Sequence, residues 1–374
     1  MKDLFITCPY GFEALLKKEL ETLGISKVFL GFCGVFIPKT EENVWIANYQ
    51  SRVATRVLWP LAEFYCQGKE DLYNNCKNIP WSSFLNCHRT FAIDSNVQHP
   101  TLKNSLFASL VVKDAICDFF REKTGARPSI DTKDPDVQLN LFIQKGKATL
   151  YLDTSGAPLH KRGWRESGVE ATLHESLAAA LLLLTGYSAE KVFCDPFCGS
   201  GTFLIEAGLI ATNTQPGFLR KKWGFFLLPG FDKKKFLEWK ATKDSLRVSV
   251  PKGKIFGAEK SRETADSCKK HIQKAGLSEV VEIEHNEIAY YRPKIAPNFI
   301  VTNPPYGKRL EISLKTFQEM KQFLENKVEP SSSIFLLSHE RALLEESGLK
   351  LAEKFHFKNG GLPVELLAIL PNRE

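Results

Sequence analysis

Short apolar stretches alternate with helical segments from about residue 170 onward, and this alternation constrains the fold more than any other feature of the chain. A chain in which strands and helices take turns builds a mostly parallel sheet that helices cover on both faces. We therefore predict an α/β fold for this part, with a long apolar helix over residues 173–184 ahead of the first strand. The predicted strands contain residues 192–194, 255–256, 280–283, 299–301 and 334–337.

The first 157 residues follow a different pattern, in which helices and strands are mixed. Residues 11–23 place apolar side chains at helical spacing and end at a glycine, which predicts an amphipathic helix. Residues 137–143 and 148–152 alternate apolar and polar side chains around a turn at 144–147, which predicts an antiparallel hairpin. The periodicity breaks within residues 154–163, where we place the boundary between this α+β region and the parallel sheet.

The first parallel strand runs directly into a glycine-containing loop and then a helix. Ligands bind at such strand ends, Gly199 and Gly201 permit a close backbone approach, and a helix N-terminus attracts a carboxylate. Asp195 would repel the pyrophosphate of NAD but attract the ammonium group of S-adenosylmethionine, and the third glycine of the dinucleotide motif is missing. The loop thus favours S-adenosylmethionine. Its candidate cofactor residues are Asp195, Pro196, Phe197, Cys198, Gly199, Ser200, Gly201 and Thr202.

Two further strand ends carry candidate cofactor residues. Glu259 ends the second strand, where an acid can accept hydrogen bonds from both ribose hydroxyls. It lies unusually far from the first loop because residues 213–250 intervene, and we interpret these residues as an insertion. Asn286 follows the third strand, and its amide could recognise the adenine edge as donor and acceptor together. A plain turn explains Asn286 equally well.

The fourth strand ends in Asn303, Pro304, Pro305, Tyr306 and Gly307. An exocyclic amine on a base is a poor nucleophile, because its lone pair is delocalised into the ring. The side-chain oxygen of Asn303 and the carbonyl of Pro304 can accept the two amine hydrogens, and the prolines hold that carbonyl in an extended geometry. Tyr306 offers a flat face to a base that has left its stack. The pattern therefore predicts transfer to an exocyclic nitrogen, whereas a ring carbon would require a cysteine nucleophile.

Composition narrows the partners and the compartment. The net charge of +7 suits an anionic partner. Two basic runs, 220–222 and 233–235, are interleaved with aromatic residues that either stack on bases or belong to a core beside a solvated loop. The nine cysteines contain no CxxC pair, which argues against zinc and against a disulfide framework. We find no signal peptide and no apolar run near the ~20 residues of a membrane span, so we expect a cytoplasmic protein without a metal.

These features together resemble the bacterial THUMP-domain RNA methyltransferases, specifically those that make N2-methylguanine in large-subunit ribosomal RNA. The similarity covers nearly the whole chain, and its most specific runs are residues 7–13, 112–116, 159–165, 195–202, 210–217 and 303–310. The resemblance implies a ferredoxin-like domain at residues 1–65, a THUMP RNA-binding domain at 66–157 and a Rossmann-like class I methyltransferase domain at 158–374. Some relatives continue into a second methyltransferase domain, and we expect the form with a single catalytic domain.

The resemblance also implies roles for individual residues. Asp195 and Gly199 would line the methionine side of S-adenosylmethionine, Glu259 would bind the ribose, and Asn286 the adenine. The residues from Asn303 to Tyr306 would hold the target base. Glu259 stands where the family more often has Asp, and Asn286 stands where an acid is common.

We therefore predict an S-adenosylmethionine-dependent RNA (guanine-N2) methyltransferase that acts on 23S ribosomal RNA, binds no membrane and is taken as a monomer. A transfer-RNA guanine-N2 methyltransferase would share this chemistry. A DNA adenine-N6 methyltransferase would share the Asn303 motif, but residues 1–157 resemble an RNA binder. The intact residues Asp195, Glu259 and Asn303 argue against a non-catalytic RNA-binding assembly factor of the ribosome.

Overall fold

The computed structural model describes residues 3–102, 104–166, 173–305, 314–338, 341–359 and 362–370. Contacts divide the chain into two units. The first unit contains Met1–Cys8, Leu16–Leu159 and Arg220–Ala241, and the second contains Pro9–Leu15, His160–Leu219 and Thr242–Glu374. The predicted domain limits of 1–65, 66–157 and 158–374 concern sequence modules rather than this grouping and stay a prediction.

An eight-stranded sheet forms the framework of the first unit, in the order β2-β3-β1-β4-β8-β7-β5-β6. Its strands are β1 (Asp3–Thr7), β2 (Phe29–Gly31), β3 (Gly34–Pro38), β4 (Arg56–Tyr65), β5 (Thr90–Gln98), β6 (Ser129–Ile130), β7 (Val137–Gln144) and β8 (Lys147–Asp153). Neighbouring strands are antiparallel, except that β5 is parallel to both β6 and β7. Four helices accompany the sheet: α1 (Glu13–Thr22), α2 (Glu41–Tyr49), α3 (Lys69–Lys77) and α4 (Ser105–Thr124).

The hairpin predicted near residue 145 is confirmed as the β7–β8 pair. Its turn is tighter than the predicted four residues, because only Lys145 and Gly146 lie outside the strands. Both have positive φ, 51° and 73°. This is the two-residue turn whose twist matches that of antiparallel strands. The buried faces of β7 and β8 pack with α3 and α4 into one apolar core.

A seven-stranded sheet forms the second unit, in the order β11-β10-β9-β12-β13-β15-β14. Its strands are β9 (Phe193–Asp195), β10 (Ile255–Glu259), β11 (Val281–His285), β12 (Phe299–Thr302), β13 (Ser333–Ser338), β14 (Leu351–Asn359) and β15 (Leu362–Ile369). Its helices are α5 (Glu175–Leu184), α6 (Thr202–Ala211), α8 (Arg262–Lys274), α9 (Leu314–Lys327) and α10 (Arg341–Glu346), and α7 (Lys233–Asp244) lies in the insertion. The predicted α/β fold is confirmed, and all five predicted strands are present.

The chain builds this sheet outward from β9 in both directions. Strands β10 and β11 follow on one side of β9, and β12 and β13 follow on the other, all parallel. Because such crossovers are right-handed, α6 and α8 lie on one face of the sheet and α9 on the opposite face. The switch in direction falls between β9 and β12, and the carboxyl ends of these two strands flank the crevice where open α/β sheets bind ligands.

The central part of the insertion belongs to the first unit rather than to the second. Residues 220–241 group with the first unit, where Trp223 and Phe236 pack against Trp45 and Tyr49 of α2 and Phe225 packs against both Trp223 and Phe236. These aromatic rings are at most 5% exposed. The sequence left open whether the aromatic residues of the insertion stack on bases or build a core, and for these three the answer is a core.

Candidate active site

Asp195 lies at the carboxyl end of β9 and is 1% exposed. Its Oδ1 accepts hydrogen bonds from the Thr302 hydroxyl at 2.6 Å and from the Phe197 amide at 3.1 Å. Burial raises the pKa of this carboxyl to about 7, because water is excluded from the charged form. A buried carboxyl held in this way favours a cationic group placed beside it.

The loop after β9 turns through left-handed conformations at Gly199 and Gly201, with φ values of 53° and 90°. A Cβ at Gly201 would lie 2.5 Å from Sγ of Cys268, so this position requires glycine for space as well as for conformation. Gly201 is also the N-cap of α6 and provides no side-chain cap. The first amides of α6 are therefore suited to a ligand carboxylate.

Three further side chains of the loop are buried or packed against the core. Pro196 is buried, Phe197 packs against the core of the sheet, and Cys198 is 6% exposed. Burial raises the pKa of the Cys198 thiol, which makes it a poor nucleophile. These three residues therefore contribute to the packing and the backbone path of the loop.

Arg165 lies before the loop in the sequence and forms hydrogen bonds to it. The sequence analysis did not assign it to the site. Its guanidinium donates to the hydroxyls of Ser200 at 2.8 Å and Thr202 at 2.9 Å. It also pairs with Glu175 at 2.9 Å and lies over the ring of Trp164. The side chain is only 13% exposed. The fork of donors on one planar group fixes both ends of the turn at once.

His271 of α8 supports the same turn. Its Nε2 accepts a hydrogen bond from the Glu166 amide at 3.3 Å, so its Nδ1 carries the proton and donates to the Ser200 carbonyl at 3.0 Å. Burial lowers the pKa of this imidazole, which keeps the ring neutral.

Glu259 and Asn286 continue the row of strand ends. One carboxylate oxygen of Glu259 accepts from the Gly199 amide at 3.1 Å, and the other accepts from the Ser261 amide at 2.7 Å. The backbone N–H of Asn286 donates to the backbone carbonyl of Glu259 at 3.0 Å. The ends of β9, β10 and β11 are therefore joined directly. A carboxylate has about four acceptor positions, so Glu259 retains capacity for ligand hydroxyls.

Asn303 directly follows β12 and lies at the same sheet edge as Asp195, because the Thr302 hydroxyl links the two strand ends. The Oδ1 atom of Asn303 is buried, and no described residue donates to it. Pro304 is buried and Pro305 half-buried. Tyr306, the last predicted residue of this motif, lies outside the described residues. A buried acceptor without a donor is costly, and it suits a ligand that brings an N–H group.

The structure thus brings Asp195, Gly199, Glu259 and Asn286 into one connected row and places Asn303 beside it. Within the described ranges, no group of three or more His, Cys, Asp or Glu side chains could hold a metal ion. No helix in the described part of the chain is long and apolar enough to cross a membrane.

Three family models match consecutive parts of the chain. The RMKL-like methyltransferase domain matches residues 162–367, the THUMP domain residues 67–153, and the RlmL ferredoxin-like domain residues 3–58. The matches follow the predicted order of modules. The strand order of the second unit is that of a six-stranded Rossmann sheet with the antiparallel β15 added between β13 and β14.

Individual relatives agree with these matches. The chain is 35% identical over 321 residues to the ribosomal RNA large subunit methyltransferase K/L of Marinomonas sp., covering 82% of this chain and 44% of that protein. It is 33% identical to slr0064 of Synechocystis sp., to which an RNA methyltransferase activity is ascribed, covering 98% and 96%. The chain thus spans about half the length of the K/L relatives.

Among solved structures, SMU.472 in complex with SAH is similar along the whole chain. The TM-score is 0.84 at 25% identity, covering 100% of this chain and 99% of the other. The resemblance deduced from the residue runs is confirmed, as is the fold class. The chain belongs to the family of RMKL-like methyltransferase domains, with THUMP and RlmL ferredoxin-like modules ahead of that domain.

Proposed function

We propose that this chain transfers a methyl group from S-adenosylmethionine to the exocyclic N2 of a guanine in 23S ribosomal RNA. The observation that carries the proposal is the buried Oδ1 of Asn303, which has no donor among the described residues. It lies one residue beyond Thr302, whose hydroxyl binds Asp195 of the cofactor loop. An amine donor and a cationic methyl donor are thus expected side by side.

The cofactor is S-adenosylmethionine, and the residues present fit it. The uncapped N-terminus of α6 suits its carboxylate, and Asp195 suits its ammonium group. Glu259 has acceptor capacity for the ribose hydroxyls, and we assign Asn286 to the adenine. When bound, this cofactor supplies an electrophilic methyl group on a sulfonium. The relative SMU.472 was solved with SAH, the demethylated product of this cofactor.

The protein's part in the reaction is to orient the amine. We propose that Oδ1 of Asn303 and the carbonyl of Pro304 each accept one amine hydrogen. These bonds draw the amine lone pair out of the ring and aim it at the methyl group. Pro305 keeps the backbone extended, and we assign Tyr306 to stacking on the base. No base needs to remove a proton before transfer, since the sulfonium is already activated.

RNA is the substrate class that the modules support. A THUMP domain precedes the methyltransferase domain, and the K/L relatives are named for ribosomal RNA. We extend this to a cytoplasmic enzyme, which fits nine free cysteines. Transfer-RNA guanine and DNA adenine remain the rival substrates, because the chemistry of Asn303 serves any exocyclic amine.

The experiment is methyl transfer by the purified chain to large-subunit ribosomal RNA, transfer RNA and DNA, followed by mass spectrometry of the nucleosides. We expect N2-methylguanine in large-subunit RNA alone. Methylation of transfer RNA or DNA alone would move the substrate. Asn303→Ala should abolish transfer and leave the Kd for SAH nearly unchanged, and transfer at the wild-type rate would refute the assignment of Asn303. Asn326→Ala on α9 is the control, because among the described residues its side-chain amide donates to the Gln322 carbonyl of the same helix.

A further inference from the structure

The insertion carries nearly all of the net positive charge of the chain. Residues 213–250 contain nine Lys and Arg side chains and three acids, a net charge of +6, whereas the whole chain has +7. The rest of the chain is close to neutral. Such a concentration of charge in one segment creates a local positive potential that a uniformly mixed surface does not have.

The insertion is fixed in place on the first unit. Arg220 donates to the carbonyls of Ser155, Ala157 and Pro158, and its guanidinium lies over the ring of Trp223. The segment approaches the end of β8 so closely that a Cβ at Gly224 would lie 2.1 Å from the Asp153 carbonyl oxygen. Leu227 and Leu228 then pack against the core formed by α3, α4 and the sheet. The attachment is continuous from residue 220 to residue 228.

Lys221 and Lys222 lie within this attached segment and Lys233 and Lys234 follow it, and all four side chains are exposed. Lys221 and Lys222 precede Trp223, and Lys233 and Lys234 precede Phe236, both within the buried aromatic cluster. Lys222 and Lys234 have side chains that are 88% exposed. Lys222 pairs with Asp134 at 3.6 Å and Lys234 with Glu238 at 4.0 Å, and these solvent-exposed ion pairs contribute little to stability.

The lysines at the start of α7 also lie where positive charge destabilises a helix. The first turn of α7 has no acid and contains Lys233, Lys234 and Lys235 at the end of the helix dipole that repels cations. Asp232 already caps the amides of Lys234 and Lys235, at 2.9 and 3.1 Å. Lys235 pairs with Glu41 at 3.0 Å and lies over the ring of Trp45, whereas neither helix formation nor burial accounts for Lys233 and Lys234. Sequences that break a local rule in this way do so most often at functional sites.

We propose that the basic face, defined as Lys221, Lys222, Lys233 and Lys234, binds the sugar-phosphate backbone of the RNA substrate. This inference rests on the proposed function, in that RNA is the substrate class. Lysine side chains without a planar stacking partner read charge rather than sequence. The face would therefore position the RNA, whereas Asn303 orients the exocyclic amine of the base. The insertion thus gives the methyltransferase sequence its own RNA contact, carried on the unit that contains the THUMP module.

The test replaces the four lysines of the basic face with Gln in the full chain and measures the Kd for an in vitro transcribed fragment of large-subunit ribosomal RNA over a range of salt concentrations. Each phosphate contact contributes about 0.7 to the slope of log Kd against log salt for single-stranded RNA, so losing four contacts lowers the slope by about 3. The same four positions changed to Arg should keep the slope. A control variant changes Lys252, Lys269, Lys270 and Lys274, which are exposed on the second unit, to Gln.

An unchanged slope in the Gln variant, or an equal drop in the control variant, would overturn the proposal. So would an unchanged slope together with lost binding to vesicles of anionic lipid, which would assign the face to a membrane surface. A wild-type chain that binds the RNA with the full slope but methylates none would overturn the proposed function and leave the basic face standing. Thermal unfolding of each variant checks that the exposed substitutions leave the fold intact.

Discussion

Arg165→Met should lower both the stability of the fold and the affinity for the cofactor, and the two effects can be measured separately. The substitution keeps an unbranched apolar stem over Trp164 but removes the donors to Ser200, Thr202 and Glu175. Two of these three bonds hold the turn before α6, and the third neutralises a carboxylate that is 4% exposed. We therefore expect two effects, one on cofactor affinity and one on unfolding.

The two effects have different sizes. Leaving Glu175 buried without its cation costs about 3–5 kcal/mol of the free energy of unfolding. The two hydrogen bonds to the turn are worth about 1 kcal/mol each, and their loss makes the turn adopt its ligand-ready shape only upon binding. That shift of about 2 kcal/mol corresponds to roughly thirty-fold in the Kd for SAH.

The assay is calorimetric titration with SAH beside urea unfolding of the same preparations. Adding Glu175→Met to Arg165→Met should restore much of the stability, since both charges are gone, but it should leave the Kd weakened. Arg162→Met is the matched control, because Arg162 forms a buried ion pair with Glu206 of α6 rather than with the turn. A wild-type Kd in the Arg165→Met protein would refute the positioning role and reduce Arg165 to a structural residue.

Three further outcomes follow from the same geometry. Folding raises the pKa of Asp195 from 3.8 to about 7, so the native protein holds an extra proton between these pH values. Its free energy of unfolding therefore falls as the pH rises through this range. Asp195→Asn should remove this slope in pH-dependent unfolding, and it should also remove the rise in S-adenosylmethionine affinity near pH 7. Gly201→Ala should weaken SAH binding in calorimetry, and adding Cys268→Ala should relieve only the steric part because φ stays at 90°. Gly224→Ala should expose the insertion to limited proteolysis, since a Cβ there meets the backbone of Asp153.

Much of the fold could be predicted because its signals are local. Of the parallel strands from β9 to β13, all but β11 are short and mainly apolar, and the β7–β8 hairpin largely alternates apolar and polar residues. The strands β14 and β15 were absent from the predicted set. Their alternation is weaker, and nothing along the chain says that β15 pairs between β13 and β14. The pairing of strands is decided by tertiary contacts.

The site divides in the same way. Asp195, Glu259 and Asn303 could be found because each directly follows an apolar stretch that ends at the ligand-binding edge of the sheet. Arg165 and Thr302 could not, because their partners lie 35 and 107 residues away. No periodicity relates positions so distant. The same reason hid the packing of the insertion, whose aromatic residues meet α2 only in the folded chain.

Two unfavourable arrangements meet at the switch point of the second sheet, and together they explain why this edge binds ligands. Asp195 is a carboxyl kept from water, and Asn303 has a buried oxygen that no described donor reaches. Each lowers the stability of the free protein, and each would be relieved by a different part of the reaction: a cation beside Asp195 and an amine at Asn303. A ligand that binds the folded protein but not the unfolded chain raises the free energy of unfolding. The cofactor and the base should therefore each raise the unfolding temperature. Asp195→Asn should remove most of the first rise and leave the second, since the two deficits belong to different atoms.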